Sequence, residues 1–394
     1  MTVRRFSRAA TLIALVAGFS MFGLASAGAA SVSVNVPCSG GGAALAAAIN
    51  SANNSGGGSV NLASGCTYQL TAADNSGGTG SNGLPIVVSR ITVNGKNATI
   101  AGNGSDFRIL EVDSPNGNLT LNGVTITGGV SDFAGGGIFN NEGTLTLNSS
   151  VVTGNQLSGG AGGGGIASGT GSTGPLGTTT LNNSSVTDNT SSNGGGGILN
   201  HAGTLTLNSS DVSGNTALNG GGIASGPGDQ SGHGSSITLN KSTVDNNTAT
   251  AGEDEPAAGG IANGGLLVSN NSEVANNTAP GGIGAGIVNH AFMTLNKTVV
   301  TGNSAPVDEL GNPGFGGGIA NIAFPGFGGP NPPLPALTIN NSEVTGNSAS
   351  GDAGGILNVT FRDDGLLGTV TLNHTNVTNN SPDNCVPTIA GCTG

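Results

Sequence analysis

Residues 135–155 read GGGIFNNEGTLTLNSSVVTGN, and residues 195–215 read GGGILNHAGTLTLNSSDVSGN. This near-duplication constrains the fold more than any other feature of the chain. Aligned on a Leu-Asn step followed five residues later by an apolar residue, the unit recurs at Leu121, Leu147, Leu181, Leu207, Leu239, Leu295, Ile339 and Leu372, with a degenerate copy at Ser269. The shortest spacing, 26 residues, occurs three times and sets the bare unit, and the longer spacings carry insertions. Every unit after the first also holds a Gly-Gly-Ile step, at Ile138, Ile166, Ile198, Ile223, Ile261, Ile287 (where it reads Ala-Gly-Ile), Ile319 and Ile356. A "VTGN"-like step closes it, at Asn155, Asn189, Asn215, Asn247, Asn277, Asn303, Asn347 and Asn380.

Three short segments therefore make one unit: GGIxN, TLTLN and SxVTGN. Each alternates apolar and polar residues with period two, which marks a strand. The turns between them are too short for helical crossovers. Three strands without a helix, repeated, stack as a coil in which every strand lies about 4.8 Å from its copy in the next rung. Inward Ile, Leu and Val then form one continuous core. Asparagines repeated at the same turn can bond amide to amide up the stack. The 75 glycines fit this coil as corner residues. They do not fit collagen, whose every-third-residue period is absent, or disorder, because aliphatic residues recur at fixed places.

The repeat resembles the right-handed parallel β-helices of the pectin-lyase-like superfamily, and its GGGI element is similar to that of polymorphic outer-membrane proteins. The expected fold is all-β, a single-stranded right-handed parallel β-helix of about nine or ten rungs with an N-terminal helical cap. Residues 1–30 read as a signal peptide: basic MTVRRFSR, an apolar core, then a small-residue cleavage site near Ala27 or Ala30. Residues 31–90 would form the cap and first strands, with a short helix over Ala43–Ala52 placing Leu45 and Ile49 on one face. Residues 91–380 would form the coil and 381–394 a tail. The four cysteines lie at the edges of the mature chain, and the economical pairing in an exported protein is Cys38–Cys66 with Cys385–Cys392.

Loss of Arg4, Arg5 and Arg8 with a signal peptide leaves six basic against 21 acidic residues, a net charge of −15. Such a surface repels phosphate backbones, so a nucleic-acid partner is excluded, and no later stretch could span a bilayer. The expected protein is a secreted or cell-surface monomer.

Function would be written where the copies disagree, in loops after the GIxN and VTGN strands. The loop GPGDQSGHGSS holds Asp229 and His233 in a Gly-His-Gly step that resembles one in polygalacturonases. No RIK-type motif accompanies it. Arg362 beside Asp363 and Asp364 forms the other constellation, with a basic residue and paired carboxylates as a polysaccharide lyase or glycoside hydrolase would need. Phe324 and Phe327 add aromatic binding candidates, with Asp229, His233 and Arg362 beside them. Calcium is the one cofactor with candidate ligands, Glu253, Asp254 and Glu255. The outward threonines of the TLTL strand, Thr144/Thr146, Thr178/Thr180 and Thr204/Thr206, resemble the TxT faces of ice-binding β-helices. Without a concentrated catalytic set, the expected role is a non-catalytic binding or adhesion module directed at a polysaccharide or another cell-envelope component. A lyase or hydrolase is the alternative and ice binding a minor one.

Overall fold

The structure, a computed structural model, describes residues 31–104, 106–169, 177–226, 234–250, 256–325 and 333–392. His233, Asp229, Phe327 and the Glu253–Asp254–Glu255 run lie outside those residues. The chain is a right-handed parallel β-helix of about 11 turns. Three strand columns run its length. The TLTLN and SxVTGN strands build one 21-stranded sheet bent along its middle, and the GGIxN strands build a 10-stranded sheet facing it.

Registers follow the sequence copies without slippage. Thr144–Asn148 lies on Thr178–Asn182, which lies on Thr204–Asn208, residue for residue. The turn count exceeds that of the visible repeat because the coil starts early: Val32–Val36 already pairs in parallel with Gly58–Leu62, and Gly57–Asn61 with Arg90–Asn94. Those rungs place Val60 and Val93 where later ones place leucine and lack the Gly-Gly-Ile step, so the pattern does not announce them.

Inward residues form one cluster from Val36 to Ile389, with Ile138, Ile166, Ile198, Ile223, Ile261, Ile287 and Ile319 all fully buried. The helix α1, Gly41–Asn54, closes the first end by burying Leu45, Ala48, Ile49 and Ala52. Cys38–Cys66 ties that end and Cys385–Cys392 the other. The tail strand Cys385–Val386 adds to the 10-stranded sheet in parallel beside Ile356–Leu357. Among the described residues no helix is long and apolar enough to cross a membrane.

Two amide ladders of opposite polarity run along the coil, the outer from Asn61 and the inner from Asn155. In the buried one, Asn155, Asn189, Asn215, Asn247, Asn277, Asn303, Asn347 and Asn380 each donate Nδ2–H to the Oδ1 of the next rung, at 2.9–3.0 Å. The last acceptor is Asn384 of the tail, which therefore finishes the ladder as an eleventh-hour rung would. In the outer one, each asparagine from Asn94 to Asn373 donates back to the rung before it, at 2.8–3.0 Å. Eight of these outer asparagines begin Asn-x-Ser/Thr sequons, from Asn148 to Asn373. The sequons follow from the fold. The asparagine feeds the ladder, and the serine two residues on, as in Ser150 and Ser210, donates its hydroxyl to that asparagine's carbonyl.

The bend between these two residues takes a left-handed residue in every late rung, and it is often not glycine: Ser209, Lys241, Asn271, Lys297 and Asn341 all have φ of 48–51°. A side chain there costs about 1 kcal/mol. Lys297→Gly should therefore raise stability by about 0.5 kcal/mol, net of glycine's freedom in the unfolded chain, read as a higher urea midpoint with an unchanged slope.

Candidate functional site

The corner between the GGIxN and TLTLN strands carries most of the unusual side chains. In the later rungs His290 follows the column residue Asn289, and Phe324 and Phe361 follow the longer strands Ile319–Ala323 and Ile356–Thr360. Their rings meet edge to face, His290 to Phe324 at 6.0 Å and Phe324 to Phe361 at 5.8 Å between centroids. The imidazole Nδ1 of His290 lies 3.3 Å from the Ile322 carbonyl oxygen. Enclosure by these apolar neighbours pushes its pKa down to about 4, so the ring is neutral at physiological pH.

Beside this column the outward face changes character. The position held by Thr144, Thr178, Thr204 and Ser236 becomes Leu266, Phe292 and Ala336 in successive rungs. Leu266, Phe292, Phe361, Leu366 and Leu367 are 40–52 % exposed. Leu266 and Phe292 are neighbours in register, while Phe361, Leu366 and Leu367 lie in the corner loop of a later rung.

Arg362 and Asp364 stand at the edge of this patch. The Arg362 Nη2–H donates to Asp364 Oδ2 at 2.7 Å and the Nε–H to both carboxylate oxygens at 3.1–3.2 Å. Asp364 Oδ1 also accepts the Leu366 N–H at 3.0 Å, which fixes the turn. The fork holds Asp364 below the usual carboxylate range and Arg362 above its usual value. An arginine so engaged is a fixed dipole and a poor proton acceptor. Asp363, next in sequence, is exposed. Of the sequence candidates, the structure thus gathers Phe324, Arg362 and Asp364 at one corner.

A second constellation, near the first end, has no counterpart in the sequence reading. Arg108 and Glu111 are the only charged side chains buried among the described residues, 0 % and 1 % exposed. The Arg108 guanidinium stacks 4.9 Å from the centroid of Phe139, which meets Phe133 edge to face. Its Nη2–H donates to the Thr79 carbonyl. Glu111 accepts the Thr79 hydroxyl at 3.0 Å and the Asn82 amide at 2.8 Å. Burial pulls Arg108 down to about 10, against the attraction of Glu111 and Asp132. The segment FRILEVD, where charge falls on both sides of an apolar pair, was the available signal.

A third feature is electrostatic. Asp211, Asp245 and Glu273 face outward on three successive rungs of the SxVTGN column. Burial and the neighbouring Asp211 carboxylate push Asp245 up to about 6. No group of three or more His, Cys, Asp or Glu among the described residues is arranged to hold a metal ion.

No family model and no curated protein matches the chain. In structure the chain is similar to the A-module of the Azotobacter vinelandii mannuronan C-5 epimerase AlgE6, at 14 % identity and a TM-score of 0.41, with 88 % of this chain and 96 % of that one covered. It is similar also to pectate lyase Pel9A, at 15 % identity and a TM-score of 0.35, with 93 % and 83 % covered. What they share with this chain is the all-β parallel β-helix.

Proposed function

We propose that the chain is an exported, non-catalytic binding module that holds carbohydrate on its late-rung corner. The observation that carries this reading is the exposure of large apolar side chains on the later rungs of a rigid coil, Leu266 and Phe292 in register on neighbouring strands and Phe361 paired with Phe324. A sugar ring offers an apolar C–H face and a polar rim. Phe361, Phe292 and Leu266 suit the first, and the flanking Asn270, Asn296 and Asn340 amides suit the second. Two disulfides and the signal-like N-terminus support an extracellular setting. The Arg362–Asp364 fork favours binding over lyase chemistry, because its arginine is already committed to a carboxylate.

Polysaccharide retention on a glycan array, with no new reducing ends released, is the expected result. Phe361→Ala should weaken retention by about tenfold, roughly 1.4 kcal/mol, without changing the circular dichroism spectrum. Release of reducing ends that Asp364→Ala abolishes would overturn the non-catalytic reading in favour of a lyase or hydrolase.

A second reading rests on the earlier rungs. Thr144/Thr146, Thr178/Thr180, Thr204/Thr206 and Ser236/Thr238 lie in register on four successive rungs, a flat uncharged lattice of hydroxyls and methyls about 4.8 Å by 6.7 Å. Such a lattice suits ordered water. Ice recrystallisation inhibited by the protein and restored by Thr206→Lys would establish it, and no inhibition at any concentration would remove it.

A further inference from the structure

We propose that the polar cluster around Arg108 is a ligand site, closed by the hairpin Asn75–Asn82 and matched to a neutral polyhydroxylated molecule such as the end unit of a sugar chain. It uses none of the residues of the late-rung corner and does not depend on that reading.

Three buried polar atoms in one small region have no hydrogen-bond partner: Arg108 Nε, Arg108 Nη1 and Asn82 Oδ1. The two residues are bridge partners in neighbouring rungs, with the Arg108 N–H donating to the Ser81 carbonyl and the Gly83 N–H to the Arg108 carbonyl. Two donors and one acceptor are thus left unmet beside a buried charge. Each such group costs free energy unless something fills the gap. Elsewhere among the described residues only the Oδ1 atoms of Asn140 and Asn200 are left this way, one on each residue.

The charges select the ligand. Glu111 and Asp132 already act on Arg108, so the cluster carries more negative than positive charge and an anionic ligand would be repelled. A cation would face the guanidinium and find Glu111 already bound by Thr79 and Asn82. A hydroxyl group meets both needs, accepting from Arg108 and donating to Asn82 Oδ1.

The cover is built to lift. Asn75–Gly77 and Gly80–Asn82 form the only antiparallel strand pair among the described residues, and among those residues the hairpin joins the parallel ladder through the single Asn82–Arg108 bridge. Its inner attachments are largely to the cluster itself, through Thr79 and Asn82. Gly80 has φ of +100°, and a Cβ there would lie 2.7 Å from Arg108 Nη2. Gly80→Ala therefore strains the hairpin backbone and crowds the end of the Arg108 side chain, which loosens the cover over that charge.

Titration calorimetry and stopped-flow binding with neutral di- and trisaccharides, and with the matching uronate oligomers, test the proposal on the full mature chain. A neutral sugar should bind, with the uronates at least about tenfold weaker. Arg108→Met should weaken the neutral sugar by about tenfold or more. Gly80→Ala should speed its association several-fold, and both effects should persist in a Phe361→Ala background, which weakens binding at the late-rung corner. If Arg108→Met does not fold, the association rate of Gly80→Ala decides. No neutral sugar bound by Gly80→Ala, affinity indifferent to Arg108→Met in a folded protein, or a buried water alone bridging Arg108 and Asn82 at saturating sugar would each overturn it.

Discussion

Replacing Asn247 by alanine is expected to lower the stability of the coil by about 3–5 kcal/mol, the largest effect of any single polar substitution in it. Asn247 is fully buried and stands in the middle of the inner ladder. Its Nδ2 donates to the Val212 carbonyl at 2.9 Å and to Asn277 Oδ1 at 3.0 Å, and its Oδ1 accepts both the N–H and the Nδ2–H of Asn215 at 3.0 Å. Alanine leaves the Asn215 N–H and the Val212 carbonyl unpaired where water does not reach. Each orphan costs about 1–3 kcal/mol, and the cavity adds to it. The matched change on the outer ladder, Asn240→Ala, removes bonds of similar length to Asn208 and Asn270, but water can replace them. It should cost about 1 kcal/mol or less. Asn247→Asp should be at least as damaging as alanine near neutral pH, because it removes both donors and buries a charge. Urea midpoints of the three variants check the ranking. Equal losses for Asn247→Ala and Asn240→Ala would mean that the inner ladder is not the dry spine it is drawn as here.

The parts of this protein that repeat were legible in its sequence, and those that do not repeat were not. Asparagine at the end of VTGN, isoleucine after Gly-Gly and the Thr-x-Thr step each recur with fixed spacing, and each became a column in register. The cysteine pairs followed from proximity along the chain. Arg108 and Glu111 escaped notice because what makes them a cluster is the hairpin Asn75–Asn82, about one rung away in the fold, whose letters match no other rung. The apolar corner was only half visible. Phe324 and Arg362 stood out as residue types, whereas Leu266 and Phe292 stand in the column that earlier rungs fill with threonine. Their meaning depends on the register that sets Leu266 and Phe292 side by side on neighbouring strands. Arg362, Asp363 and Asp364 looked like catalytic partners in one dimension, and in three dimensions Arg362 and Asp364 satisfy each other.

Between pH 6.5 and 4 the protein should lose up to about 3 kcal/mol through one residue, His290. Its folded pKa of about 4 lies below the ordinary value of 6.5, so the folded state resists a proton that the unfolded chain accepts. The stabilisation is therefore complete above pH 6.5. It declines as pH falls, and it levels off below 4, where both states are protonated. The cause is burial: the ring packs on Phe324, and its contact with the Ile322 carbonyl opposes the shift. Asp245 runs the other way. Its folded pKa, raised to about 6 by burial and by Asp211, makes the folded state take a proton before the unfolded one does. Falling pH then relieves the repulsion among Asp211, Asp245 and Glu273. Discounted for exposure to solvent, that gain is under about 1 kcal/mol, so His290 dominates the window. Exposed Asp308 and Asp364, both held below the usual carboxylate range, release their contribution only at more acidic pH. Urea denaturation of the mature protein at intervals from pH 8 to 4 should show the decline. His290→Leu should flatten it, while Asp245→Asn should raise stability at pH 8 and steepen the fall toward pH 4. A decline that survives His290→Leu would place its origin in other groups and leave the imidazole exposed to water rather than sealed behind the phenylalanines.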